Sequence, residues 1–258
     1  MTDQPSIDGT RLPDDRYLEV LDADVEAIVA ASEDLAADVP GCPGWTVRDL
    51  LSHVIGVYRH KVVALDLGEQ PPQRDFGDWG ELRDDEDPRD VLRTEYAALR
   101  ERLTARDPLT PTWAWWPPEQ TLGFWIRRMA HETAVHRWDA ESAVHGVDGA
   151  APIPDDVATD GVDELLGWLR WEWGDERQDD ADGQTVLVST ADHSWSLTFE
   201  PATVTVTGGG TDGAAFVAGA PSGLLLHVWG RPGDHGVATL GDTTALRLLR
   251  ERLDMAAS

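Results

Sequence analysis

Apolar side chains recur every three to four residues along four stretches of the first half of the chain, and every second residue through much of its final third. The first stretch, Tyr17 to Leu35, places Leu18, Leu21, Val25, Ile28, Val29 and Leu35 at helical spacing. Two prolines and two glycines in Val39-Pro40-Gly41-Cys42-Pro43-Gly44 interrupt it. A second helix follows Trp45-Thr46, with Thr46 as its cap and Asp49, three residues on, completing a capping box. Its apolar face is Val47, Leu50, Leu51, Val54, Val57 and Tyr58, and His53 lies beside that face. The connection from Gly68 to Asp87 is acidic, rich in proline and long for a helical bundle, which marks it as functional or mobile. Asp87-Pro88 reads as cap and first residue of a third helix carrying Leu92, Tyr96, Leu99 and Leu103. Trp113, Trp115, Trp116, Pro117 and Pro118 then predict a loop that packs over the end of the bundle or walls a pocket there. The fourth helical pattern runs from Leu122 to Val144.

Val147 to Asp156, rich in Gly, Ala and Pro, reads as a linker, and a fifth helix follows through Val162, Leu165, Leu166 and Leu169 to Trp173. The period then changes to two. Strands are expected over Thr185–Ser189, Trp195–Phe199, Thr203–Thr207, Ala214–Val217 and Val237–Leu240, with a turn at Gly208-Gly209-Gly210. A short helix should open at Pro221-Ser222, and a last one should span Thr243 to Leu253. The expectation is a mixed, two-domain protein, α followed by α/β: an antiparallel four-helix bundle over residues 1–148 and a small α+β domain over 149–258.

Composition narrows the classes of function. No apolar run is long enough to span a bilayer, and Met1 to Thr10 lacks the basic-then-apolar layout of a secretory signal, so a cytoplasmic protein is expected. The single cysteine, Cys42, excludes an internal disulfide framework. A formal charge of −27 repels phosphate backbones and anionic lipid, so neither nucleic acid nor membrane is expected as a partner. Most of the acid excess reads as solvated surface.

Candidate chemistry sits on the fourth helix. At 100° per residue, Leu122, Trp125, Met129, Glu132, His136, Asp139 and Ala143 share one stripe, while His131 lies well off it and is expected on the surface. The stripe begins apolar and then presents a carboxylate and an imidazole one turn apart, which are costly to bury without a partner. Taken alone, such a pair more commonly bonds to itself or to backbone than to a metal. A third residue changes the balance. In a bundle the second and fourth helices can face each other, which adds His53 to Glu132 and His136. Two imidazoles and a carboxylate form the ligand set of open zinc sites and are also accepted by iron(II) and other divalent ions. There is no glycine-rich phosphate loop, no Cys-x-x-Cys and no nucleophile-elbow motif.

The run from Val39 through Trp45-Thr46-Val47-Arg48-Asp49-Leu50-Leu51-Ser52-His53 resembles the start of the second helix in the mycothiol-dependent maleylpyruvate isomerase family. Trp125 to Glu141, with Met129-Ala130-His131-Glu132-Thr133-Ala134-Val135-His136, is similar to that family's second motif. Leu224-Leu225-Leu226-His227-Val228-Trp229-Gly230-Arg231, with Gly241-Asp242 downstream, is a looser match to its C-terminal signature.

The resemblance implies a DinB-like bundle, a small sterol-carrier-like C-terminal domain, and metal ligation by His53, Glu132 and His136. It further implies Zn2+ or another divalent ion as cofactor. The co-substrate would be mycothiol or a similar low-molecular-weight thiol, and the substrate an electrophilic small molecule, handled by isomerisation or S-transfer in a monomer or homodimer. Arg231 is the candidate catalytic cation for substrate carboxylates and a developing enolate, with a surface salt bridge as its alternative role. Arg127 and Arg128 could share that role or make bundle-to-domain contacts. Asp139 could orient a ligand imidazole or cap a neighbouring element, and Cys42 has a structural context. Two other classes remain open: a non-catalytic small-molecule or lipid binder with a structural metal, and a metal-dependent hydrolase.

Overall fold

The capping box at Thr46 forms as its sequence predicts. The Thr46 hydroxyl accepts from the Asp49 amide at 3.3 Å, and the Asp49 carboxylate accepts from the Thr46 amide at 2.8 Å. This launches α2 (Val47–Leu67), in a computed structural model that describes residues 7, 9–73, 76–83, 85–170 and 177–256. The chain divides into two compact units. One is Pro13–Ala151; the other joins the described residues of Met1–Leu12 to those of Pro152–Ser258.

The first unit holds α1 (Asp14–Ala30), α2, a one-turn α3 (Phe76–Trp79), α4 (Pro88–Thr104) and α5 (Leu122–His145). Asp87 caps α4 by accepting from the Arg89 amide at 2.9 Å, with Pro88 inside the first turn. Cross-helix contacts give the directions. Tyr17 meets His131 and Asp24 meets Arg137, so α1 and α5 run together. Arg59 pairs with Glu95 and Arg102 with Asp66, so α2 and α4 run together. Asp22 pairs with Arg100 and Glu26 with Arg93, which sets α1 against α4. His53 faces Glu132 while Lys61 lies over Trp125, which sets α2 against α5. The bundle is therefore antiparallel across these last two faces. The long segment after Gly68 is what allows α2 and α4 to share a direction.

Helix α1 ends at Ala30, short of the expected Leu35, because the chain turns there into the segment that carries Cys42. Helix α5 is buried nearly all round, including Arg127, Arg128 and Arg137. His131, expected on the surface, is 1% exposed and meets the Tyr17 ring edge-on at 5.7 Å. The periodicity identified the stripe that faces α2; α1 covers the side that the stripe leaves free.

Asp24 of α1 shows what this burial costs. Its Oδ1 is 3.4 Å from Arg137 Nε, and its Oδ2 is buried without a hydrogen-bond partner. Burial, only partly offset by Arg137, pushes its carboxyl from the usual 3.8 up to about 6. Between those values the folded chain binds more protons than the unfolded one, so this group's contribution falls as pH rises from 3.8 to about 6 and stays low above. Asp24→Asn is therefore expected to raise stability at pH 7 by about 1–3 kcal/mol and to lose that gain near pH 4, as read by urea unfolding at both pH values. A loss of stability at pH 7 would show that the Arg137 ion pair outweighs the burial.

The second unit holds α6 (Asp155–Trp168), β1 (Gln184–Ser189), β2 (Ser194–Phe199), β3 (Val204–Gly208), β4 (Ala215–Ala218), α7 (Pro221–Val228), β5 (Ala238–Gly241) and α8 (Thr243–Ala256). Trp173, expected to close the fifth helix, lies outside the described residues. The sheet order is β3-β2-β1-β4-β5, with β1 and β4 parallel and the other pairs antiparallel. Val186, Val188, Trp195, Leu197, Phe199 and Val217 fill one face of the sheet, in the alternation expected of half-buried strands. The leading segment is tied into this unit, since the Ile7 amide donates to Asp163 and the Thr10 hydroxyl to Asp160. Among the described residues, no helix is long and apolar enough to cross a membrane.

Candidate metal centre

A short turn brings His53, the first candidate ligand, into place. Val39 donates to the Trp45 carbonyl at 2.9 Å and Val47 to the Ala37 carbonyl at 2.9 Å, with Gly44 at φ +86° between them. The Trp45 ring consequently packs on the His53 ring at 5.0 Å between centroids. From α5, Glu132 and His136 project one turn apart toward the same point. His53 Nε2 and His136 Nε2 each lie 3.3 Å from Glu132 Oε1, and the three donor atoms fall within 4.8 Å of one another. His131, one residue before Glu132, points away to Tyr17.

The surroundings prepare these groups differently. Burial disfavours the charged form of Glu132, yet the Arg128 guanidinium and the two imidazoles hold its carboxyl well below the usual range. Arg128 Nη2 sits 2.5 Å from Glu132 Oε2. It is thus an internal partner of Glu132, a pairing at i,i+4 spacing that the expectation of bundle-to-domain contacts overlooked. Burial also works against a charged His136, but Asp139, Cys42 and Glu132 outweigh it and raise its pKa well above the usual value. Asp139, fully buried, lies 2.9 Å from His136 Nδ1. It is therefore placed to orient the imidazole and to leave Nε2 facing Glu132. The Cys42 thiol donates to Asp139 at 3.5 Å, so it buttresses the carboxylate that holds His136. Nothing in the sequence connects Cys42 with a residue 97 positions away.

The donor set fits a divalent cation. Two imidazole nitrogens and a carboxylate oxygen converge on one spot, and the second nitrogen of His136 is fixed by a carboxylate. His53 is the member that opens outward. It lines a cavity of about 780 Å3 bounded by the start of α2 and by residues 77–82. That outer wall sits tight against α2. A Cβ on Gly80 would lie 2.3 Å from the Ser52 carbonyl oxygen, and one on Gly56 would lie 2.9 Å from the Gly80 nitrogen. Gly80→Ala is accordingly expected to cost about 1–3 kcal/mol in a thermal or urea melt, through overpacking of this contact. An unchanged melting curve would show that the wall is free to shift.

Arg231 belongs to the C-terminal unit, just beyond α7, where its Nη1 donates to the Trp229 carbonyl at 3.2 Å. The three-donor cluster is made entirely within the helical unit. The tryptophan loop also belongs there. Trp116 is buried, and the Trp113 carbonyl accepts from Trp125 Nε1 at 2.7 Å, while Trp115 stays 39% exposed.

Residues 18–141 match the family model described as the mycothiol maleylpyruvate isomerase N-terminal domain. Two solved structures share the fold over 90% of this chain and 95% of theirs, each at 14% identity. They are a mycothiol-dependent maleylpyruvate isomerase, with a TM-score of 0.63, and a histidine-to-alanine mutant of it, with a TM-score of 0.61. The sequence matches no curated protein. The match spans almost the whole bundle, from α1 to the last turn of α5, and includes all three converging donors. The helical unit of this chain thus matches the mycothiol maleylpyruvate isomerase N-terminal domain model, and the chain shares its fold with the two isomerase structures.

Proposed function

We propose that this chain is a metal- and thiol-dependent enzyme, an isomerase of the maleylpyruvate type or a thiol S-transferase, with mycothiol or a similar small thiol as co-substrate. The observation that carries this reading is the convergence of His53, Glu132 and His136 on one point beside an open cavity, within a unit that matches that family model. A zinc or similar divalent ion held there would lower the pKa of a thiol and keep it as the nucleophilic thiolate.

The chain's own residues account for the rest. Asp139 holds the proton on His136 Nδ1, which keeps Nε2 available as a donor. Arg128 fixes one carboxylate oxygen of Glu132 and leaves the other directed at the two imidazoles. In this proposal Arg231 supplies the cation for substrate carboxylates and a developing enolate. Arg231→Met should then lower turnover while leaving thiol binding intact.

The test uses cobalt-substituted protein, whose visible spectrum reports the ligands around the ion. Addition of a small thiol is expected to change that spectrum, and thiol-dependent consumption of maleylpyruvate or of a thiol-reactive electrophile should follow. Both signals should vanish in His53→Ala. A spectrum indifferent to thiols, with no thiol-dependent turnover, would overturn the reading. Ester or amide hydrolysis in that case would point to a metal-dependent hydrolase, and an inert protein to a binding role.

A further inference from the structure

A second set of donor atoms lies on the other side of the His136 ring. Cys42 Sγ is 3.5 Å from Asp139 Oδ2, and His136 Nδ1 is 2.9 Å from the same oxygen. The sulfur, the nitrogen and a carboxylate oxygen fall within 4.8 Å of one another, a spacing that ligand atoms of one ion can share. Two of the three donors are enclosed. His136 and Asp139 stand at i and i+3 on α5, and Asp139 is fully buried. Cys42 is held by its backbone, whose amide donates to the Val39 carbonyl at 3.1 Å and whose carbonyl accepts from the Trp45 amide at 3.0 Å. It is half-buried, and Pro43 and Gly44 after it are exposed, so an ion from solvent meets the thiol before the two enclosed donors.

We infer that Cys42, Asp139 and His136 form a second metal site, for a thiophilic ion such as cadmium, and that an ion there excludes one at His53, Glu132 and His136. The imidazole of His136 stands between two carboxylates, Asp139 at 2.9 Å from Nδ1 and Glu132 at 3.3 Å from Nε2. An ion on Nε2 leaves the ring proton on Nδ1, facing Asp139. An ion on Nδ1 leaves it on Nε2, facing Glu132 Oε1. Each carboxylate is thus a ligand in one arrangement and orients the ring in the other. Filling both sets would require the imidazole to give up both protons, which makes them alternatives. In the second set the ion takes the place of the Cys42 thiol proton and of the proton on Nδ1, and both leave to solvent. Softness of the ion decides between the sets. Zinc is served at His53, Glu132 and His136 without loss of a thiol proton, whereas a thiolate is the donor that soft ions favour. A thiophilic ion would therefore draw His136 away from the first set. This inference goes beyond the thiol-dependent reading and requires no thiol co-substrate.

The experiment titrates the full chain with cadmium chloride and follows the ultraviolet charge-transfer band of a cadmium–thiolate bond, which only Cys42, the sole cysteine, can supply. Metal-free wild type is expected to develop the band and to saturate at about one cadmium per chain. His53→Ala, which removes a donor of the first set alone, should keep the band with a midpoint at most about threefold higher. Asp139→Asn and His136→Ala should each raise the midpoint by about tenfold or more, and either variant suffices should the other fail to fold. Zinc-loaded wild type should release its zinc as the band grows. Loss of the band in His53→Ala would overturn the second site, as would unchanged midpoints in the Asp139 and His136 variants, which would reduce Cys42 to a lone thiol. A band that grows while zinc stays bound would overturn the exclusion. Cadmium bound without the band, or zinc retained by a chain that takes up no cadmium, would overturn the second site and leave the first in place. Wild type that binds neither ion would overturn both.

Discussion

Protein supplied with zinc and then freed of loosely held ions is expected to retain about one zinc per chain, and His136→Ala less than about a tenth of that. On the proposed metal reading, His136 is the candidate ligand whose loss matters most. It is the most enclosed of the three, its Nε2 is 3.3 Å from Glu132 Oε1, and Asp139 holds its other nitrogen at 2.9 Å. Without it, His53 and Glu132 remain as two donors, too few for a retained ion in water. Asp139→Asn should act more mildly. The imidazole keeps a partner but loses an anionic one, so zinc affinity is expected to fall about 10–100-fold while saturating zinc still fills the site. Elemental analysis before and after a desalting step distinguishes the two variants. Wild type that stays metal-free in excess zinc would reduce the cluster to a hydrogen-bonded group and favour the binding-protein class.

Much of this architecture could be read from local patterns, and the misses share one cause. Thr46 with Asp49, and Asp87 with Pro88, marked helix starts because capping is a contact between near neighbours. Strands β2, β3 and β4 alternate as their sequences do, because one face of the sheet is buried. Glu132 and His136 could be paired because helical geometry places i and i+4 together. His53 required the further step that α2 faces α5. What depends on how non-adjacent elements pack was hidden. His131 was misplaced because α1 covers a second side of α5. Cys42 reaches Asp139, and residues 77–82 wall the cavity at His53, through contacts between elements far apart in the chain. The pairing of Arg128 with Glu132 is different, since its i,i+4 spacing was visible and only the burial of both residues was not.

Arg128→Gln is expected to lose about 3–5 kcal/mol in the presence of chelator and to recover most of it when zinc is added. Arg128 is buried and is the nearest positive charge to Glu132 Oε2, while Oε1 faces the two imidazoles. Removing the guanidinium leaves a buried carboxylate without its counter-ion, and that uncompensated charge is the main cost. A divalent ion held by Glu132 and the two imidazoles would supply a larger positive charge at the same carboxylate and would add stability in proportion to the logarithm of its excess over the dissociation constant. Acid provides an independent check. Glu132 titrates well below the usual range when folded, so its contribution to stability is present above the unfolded value of 4.5 and is lost as pH falls through the depressed one. The variant should lack much of that acid-dependent loss, because the stabilisation is already gone. Urea unfolding of both proteins, with chelator and with zinc, reads all four states. If the variant loses as much stability with zinc as without it, Arg128 and Glu132 form a structural ion pair, and His53 and His136 lose the carboxylate that would complete their site.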